Sequence, residues 1–202
     1  MPSISLTQFV DFVVATGTPK LTRVRQIKRE NAEEYKPWRD HWKILRDGIV
    51  EFHAVGDGDR KFFDRLLAGI EKQDKRRTYE PLVTNYKRFL GRKVIVRAPA
   101  DHNIVWKYKD LEVRVNPELR LTLNEEEQVI KLYFKKAPLA QNRVGIILLL
   151  MKHALPASPD PVTYCLLDVH HNKPYTNKNP SDDMLPLLYG EADSFLTMWQ
   201  YV

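Results

Sequence analysis

The chain has a single cysteine, Cys165, among its 202 residues. One thiol cannot close an internal disulfide or build a multi-cysteine zinc site. Its place inside an apolar run fits a reducing, cytoplasmic setting. Long apolar runs are missing as well. A membrane-spanning helix needs about 20 apolar residues in succession. The longest run, over 144–151, falls far short and reads as part of a buried helix, so no membrane partner is expected. Residues 1–18 have no basic start, and Gln8 and Asp11 interrupt their apolar positions, which is not the pattern of a signal peptide. The sequence has no phosphate-binding glycine loop, nucleophile elbow or dinucleotide fingerprint, and no internal repeat or low-complexity tract.

What is present is enough apolar material, 43% of residues, to bury one good core, and a net charge of +6 that is unevenly spread. Residues 1–92 hold 19 Lys and Arg against 13 Asp and Glu; residues 93–202 hold 13 of each. All the excess lies in the first part, concentrated at 20–29, 72–77 and 87–92. A basic half beside a neutral half points to a polyanionic partner, DNA or RNA. Arg23, Arg25, Lys28, Arg29, Arg76 and Arg77 are the candidate phosphate contacts, with Arg120 further along. The neighbouring acids Glu30, Glu33 and Glu34 leave open the alternative of solvated helix faces.

The patterning predicts an α+β protein: a basic helical region over 1–78, then an α/β sheet domain over 79–202. Ser5 followed by Gln8 matches a capping box and opens a short helix to residue 15. Thr16-Gly17-Thr18-Pro19 ends it. A basic helix is expected over 21–35 and another over 38–55, with Trp38, Trp42, Leu45, Ile49 and Phe52 on its apolar stripe. The next carries Phe62, Phe63, Leu66, Leu67 and Ile70. A further helix has Pro81 in its first turn and Gly91 at its end. From Lys93 the period falls from 3.6 to 2. Strands are expected over 93–97, 104–108 and 111–123, with a hairpin partner after an acidic turn at 124–127. Pro138 opens a helix apolar nearly all round over 144–155. The run 162–169 reads as a strand covered on both faces, 174–186 as a loop, and 187–201 as a last helix.

The 111–123 strand alternates strictly, with Glu118 and Arg120 on its polar side. A four-residue turn would set Arg120 beside Lys131 and Glu118 beside Tyr133, so that a carboxylate, two bases and a phenol share one surface. Asn116-Pro117-Glu118 on one strand and Val129-Ile130-Lys131 on the next, in an order helix–strands–helix–strand, resemble the PD-(D/E)XK nuclease-like superfamily. The resemblance covers residues 79–202 and implies an α-β-β-β-α-β core. It also implies catalytic roles for Glu118 and Lys131 and a Mg²⁺ held by Glu118 with a second acid. The ion would polarise a scissile phosphate and lower the pKa of the attacking water; the lysine would position that water. Val129 stands where the motif acid would be, so the second ligand is sought in Asp168, Glu80 or Glu112.

Asp168 and His170 leave the apolar strand on one face, a spacing open to metal or acid–base work or to simple loop anchoring. Trp106 falls on an edge strand, where it could be exposed; Gly56-Asp57-Gly58-Asp59 reads as a turn and helix cap. Two functions fit these patterns: a nucleic-acid-associated protein with a degenerate nuclease-like core, and a non-enzymatic protein-interaction module.

Overall fold

The computed structural model describes residues 1–33, 40–55, 58–97, 103–156 and 161–202. Strand β1 (Ser3–Ser5) runs directly into α1 (Leu6–Val13). The expected capping box is present: the Ser5 hydroxyl accepts the Gln8 N–H at 3.2 Å, and the Gln8 side chain accepts the Ser5 N–H at 2.8 Å. Gly17, at φ +60°, turns the chain. Pro19 sits in the first turn of α2 (Thr18–Ala32), where its missing N–H costs nothing; it starts this helix rather than ending the one before. Then come α3 (Lys43–Val55), α4 (Lys61–Ala68) and α5 (Gln73–Leu90). Pro81 lies in the middle of α5, not in its first turn. Pro81 and Arg77, whose carbonyl loses its amide partner to the proline, are both exposed. Trp38, Gly56 and Asp57 lie outside the described residues.

The remaining strands are β2 (Ile95–Arg97), β3 (Val105–Tyr108), β4 (Leu111–Arg114), β5 (Leu119–Leu123), β6 (Glu126–Tyr133), β7 (Thr163–Asp168) and β8 (Lys173–Asn177). They form two mixed sheets, one ordered β1-β4-β3 and one ordered β2-β5-β6-β7-β8. The single strand expected over 111–123 is therefore two. Asn116 takes φ +36°, and Pro117 has no N–H for a ladder, so the chain turns there and β4 and β5 join different sheets. The loop expected over 174–186 includes β8 and a 3-10 turn at Asp182–Met184.

In the larger sheet, β2, β5 and β6 are successive antiparallel neighbours. Helix α6 (Gln141–Ala154) crosses from β6 to its parallel neighbour β7. Two buried clusters occupy the two faces of this sheet. Leu119, Leu121, Ile130, Leu132, Cys165 and Leu167 pack with α3, α4 and α5. Val129, Tyr133 and Leu166 pack with α1, α2, α6, the smaller sheet and α7 (Leu185–Tyr201). Helix α6 meets β7 on one side and β3 and α1 on others, which is why its sequence is apolar all round. Leu148, Leu149, Cys165, Leu166 and Leu167 are each 4% exposed or less, as an all-round apolar helix and a non-alternating strand require. Strand β7 lies inside the sheet, between β6 and β8. Both clusters combine residues from before and after position 78. Among the described residues, no helix is long and apolar enough to cross a membrane.

Candidate functional site

The polar hairpin face exists, in a different register from the one expected. Asn124 and Glu125, at φ +48° and +72°, make a two-residue turn of the type I′ pattern. Glu126 and Glu127 are already in β6. Arg120 therefore faces Val129, and Glu118 stands one step beyond the Leu119–Ile130 pair, at Lys131. The shift is by two residues, which leaves every side chain on its expected face. Lys131 Nζ lies 2.7 Å from Glu118 Oε1 and donates also to the Asn116 carbonyl at 2.8 Å. Glu118 Oε2 accepts the Leu132 N–H at 2.7 Å. The two side chains are 11% and 18% exposed. The guanidinium of Arg120 is bonded to Glu127.

This donor set does not fit a magnesium ion, which needs several oxygen ligands in near-octahedral array. Both Glu118 oxygens already accept hydrogen bonds, and Val129 offers none. Asp168 lies on β7, opposite Tyr133, and its own oxygens hold His171. The other acids considered are elsewhere: Glu80 is on the exposed side of α5, 3.8 Å from Arg76, and Glu112 is in the smaller sheet, 2.8 Å from Lys107. Among the described residues no group of three Asp, Glu, His or Cys comes together in a way that could hold a metal.

At the end of β7 the partner of Asp168 is His171, not His170. Asp168, 1% exposed, accepts the His171 N–H at 3.1 Å and lies 2.8 Å from its Nδ1. His170 turns to the other face and meets the Trp42 ring edge-on at 6.0 Å. Burial holds its pKa below the ordinary histidine value, despite the nearby Asp168 charge. The alternation that placed Asp168 and His170 together stops where the strand stops. The arrangement ties down the turn into β8 and leaves the His171 ring half exposed. Cys165 is inert, its thiol pushed up to about 12 by burial.

The basic residues divide into two groups. Arg23 reaches Asp11 at 3.6 Å and Gln26 at 3.0 Å. Lys28 donates to the Trp199 carbonyl at 2.9 Å and covers that ring. Arg76 pairs with Glu80. Arg25 and Arg29, four residues apart on α2, and Arg77 on α5 are exposed and have no hydrogen-bond or ion-pair partner among the described residues. Trp106 is 4% exposed, not open on its edge strand: it lies nearly parallel to Tyr108 and Tyr189, with centroids 6.0 and 6.2 Å away. Trp42 stacks on Phe134 at 5.6 Å.

Two groupings were not read from the sequence. Asp11 gathers Arg143 at 2.5 Å, Lys135 at 3.0 Å and Arg23. Burial pushes its carboxyl up, but the bonds to Arg143 and Lys135 outweigh this and hold it below the usual carboxylate value. The acid interrupting an apolar helix start was the available signal; its partners come from 12 to 132 residues away. The second is a cavity of about 410 Å³ lined by His53, Arg60, Lys93 and Arg97, residues with no common spacing. No family model matches the chain, no curated protein matches it, and no solved structure matches it.

Proposed function

We propose that this protein associates with nucleic acid through the outward arginines of its basic helices, and that its sheet is a nuclease-like scaffold with an incomplete metal site. The observation that carries the binding half is the sorting of charge on α2. Lys20, Arg23 and Lys28 are tied to Glu191, Asp11 and the carbonyls of Trp199 and Val202, while Arg25 and Arg29 stand exposed at i,i+4 spacing. Two exposed guanidiniums one turn apart suit successive backbone phosphates and carry no sequence preference. Arg77 extends the positive surface on α5.

Two features support the scaffold half. With β3 and β4 diverted into the smaller sheet, the larger sheet and its helices run α5, β2, β5, β6, α6, β7, which parallels the helix–three strands–helix–strand succession of the PD-(D/E)XK superfamily. Glu118, at the entry to the second strand of that series, and Lys131, on the third, meet on one face. The shortage of free oxygen ligands supports a role for this face in positioning the hairpin.

Binding to DNA and RNA at low salt, followed across a salt series, tests the reading. Affinity should fall by about 0.7–0.9 log units per log unit of salt for each phosphate neutralised. Arg25→Glu with Arg29→Glu should weaken binding equally for all base sequences. An absence of binding to either nucleic acid at low salt would falsify the proposal. It would favour the second reading, a protein-interaction module, whose own support is the edge strand β2 with Val96 58% exposed and the adjoining Val94 69% exposed.

A further inference from the structure

We propose that the cavity between α3, the C-terminal end of α5 and strand β2 is a binding site for a phosphate monoester carried on a flat apolar body, the chemistry of a nucleoside monophosphate. Its volume, about 410 Å³, is in the range of small-ligand sites. Arg60, Lys93 and Arg97 line it, Phe52 and Leu90 give it an apolar wall, and its described lining residues include no Asp or Glu. Three cations around one hollow repel one another, and a dianion among them reverses the sign of that energy. Phosphate matches this charge better than a carboxylate does, and the planar forks of two arginines match its oxygens.

Local structure holds two of the cations in place. One guanidinium N–H of Arg60 is spent on the Gly91 carbonyl, out of the five donors the group carries. The Lys93 ammonium rests on the Phe89 carbonyl and over the Phe89 ring at 4.6 Å. Burial lowers the Lys93 pKa, the mark of a cation that a bound anion would stabilise. His53 is a neutral wall: burial first, and the Arg97 charge second, hold its pKa down to about 4, and its Nε2 lies 2.6 Å from the Tyr86 hydroxyl. The cavity borders the α3–α5 cluster, across the sheet from the α1–α2–α6 cluster to which α2 belongs. It therefore does not depend on the binding surface proposed for that helix.

Such a phosphate comes either as a free nucleotide or as the 5′ end of a nucleic-acid strand. Calorimetric titration of the full chain with AMP, adenosine, and one oligonucleotide in 5′-phosphorylated and 5′-hydroxyl forms separates these. Saturable binding of AMP but not of adenosine is expected. Arg97→Glu, an exposed position that leaves the fold intact, and Lys93→Gln should each weaken it about tenfold or more. Arg25→Glu should not change it. A strand-end ligand gives tighter binding of the phosphorylated oligonucleotide, with the difference erased by Arg97→Glu. A free nucleotide gives AMP binding with no difference between the two oligonucleotides. If neither AMP nor the phosphorylated end binds saturably at concentrations on the order of 1 mM, or if Arg97→Glu leaves the binding unchanged, the site is not a phosphate site.

Discussion

Glu118 and Lys131 face each other across the β5–β6 hairpin at 2.7 Å, and each is tied a second time to the backbone. The carboxylate spans the lysine and the Leu132 N–H, while the ammonium spans the carboxylate and the Asn116 carbonyl. From the sequence, both side chains point away from the Leu and Val core, and their removal would leave stability nearly unchanged. The structure gives a different expectation, because each is mostly buried and each completes the other. Lys131→Ala strands a largely desolvated carboxylate and should cost about 1–3 kcal/mol in urea unfolding. Glu118→Gln should cost less, since an amide oxygen still accepts the Leu132 N–H. In a double-mutant cycle the two losses should be non-additive. Variants within about 0.5 kcal/mol of the parent would show the pair to be idle.

His53 gives the protein a pH-dependent stability. Its folded-state pKa is about 4 against an ordinary 6.5. Above 6.5 the ring is neutral in both states and costs nothing. Between 6.5 and 4 only the unfolded chain takes up the proton, so stability falls as pH falls, by about 1.4 kcal/mol per pH unit at most and about 3 kcal/mol in all. Below about 4 both states bind the proton and the fall levels off. Unfolding free energies of the parent and of His53→Gln, measured across this window, should diverge in slope; parallel curves would place the histidine in water.

The β5–β6 turn is not optimised. Type I′ turns favour Asn followed by Gly, and here the second position is Glu125 at φ +72°. Glu125→Gly should relieve the left-handed backbone and raise stability by up to about 1 kcal/mol, a net gain after the added freedom of the unfolded chain. A lowered midpoint in thermal unfolding would contradict the turn assignment.

Leu166 is 1% exposed on β7, in the cluster that α6 covers. Leu166→Ala should cost about 2–5 kcal/mol, a large share of the stability of a domain this size. Chemical denaturation measures it, and a loss under about 1 kcal/mol would mean that the β7–α6 contact is loose.

Much of this architecture follows from the sequence alone, because local pattern decides it. The Ser5–Gln8 box starts α1 through bonds within three residues. The apolar runs at 144–151 and 162–169 had to be buried whatever covered them. Period 2 after Lys93 identified β2, β5 and β6 and assigned Glu118 and Lys131 to one face. What tertiary structure alone decided is which partners those elements take. Asn116-Pro117 divides one alternating run between two sheets, since a left-handed residue and a missing N–H redirect the chain without altering its hydrophobic pattern. The two-residue turn sets the register that brings Glu118 to Lys131. Asp168 turns to His171 because alternation ends with the strand. The cation cavity joins Arg60, Lys93 and Arg97 from separate segments, and Asp11 draws in bases from α2, α6 and the chain after β6. Contacts between residues so far apart leave no period or spacing in the sequence; they arise when both faces of one sheet are covered at once.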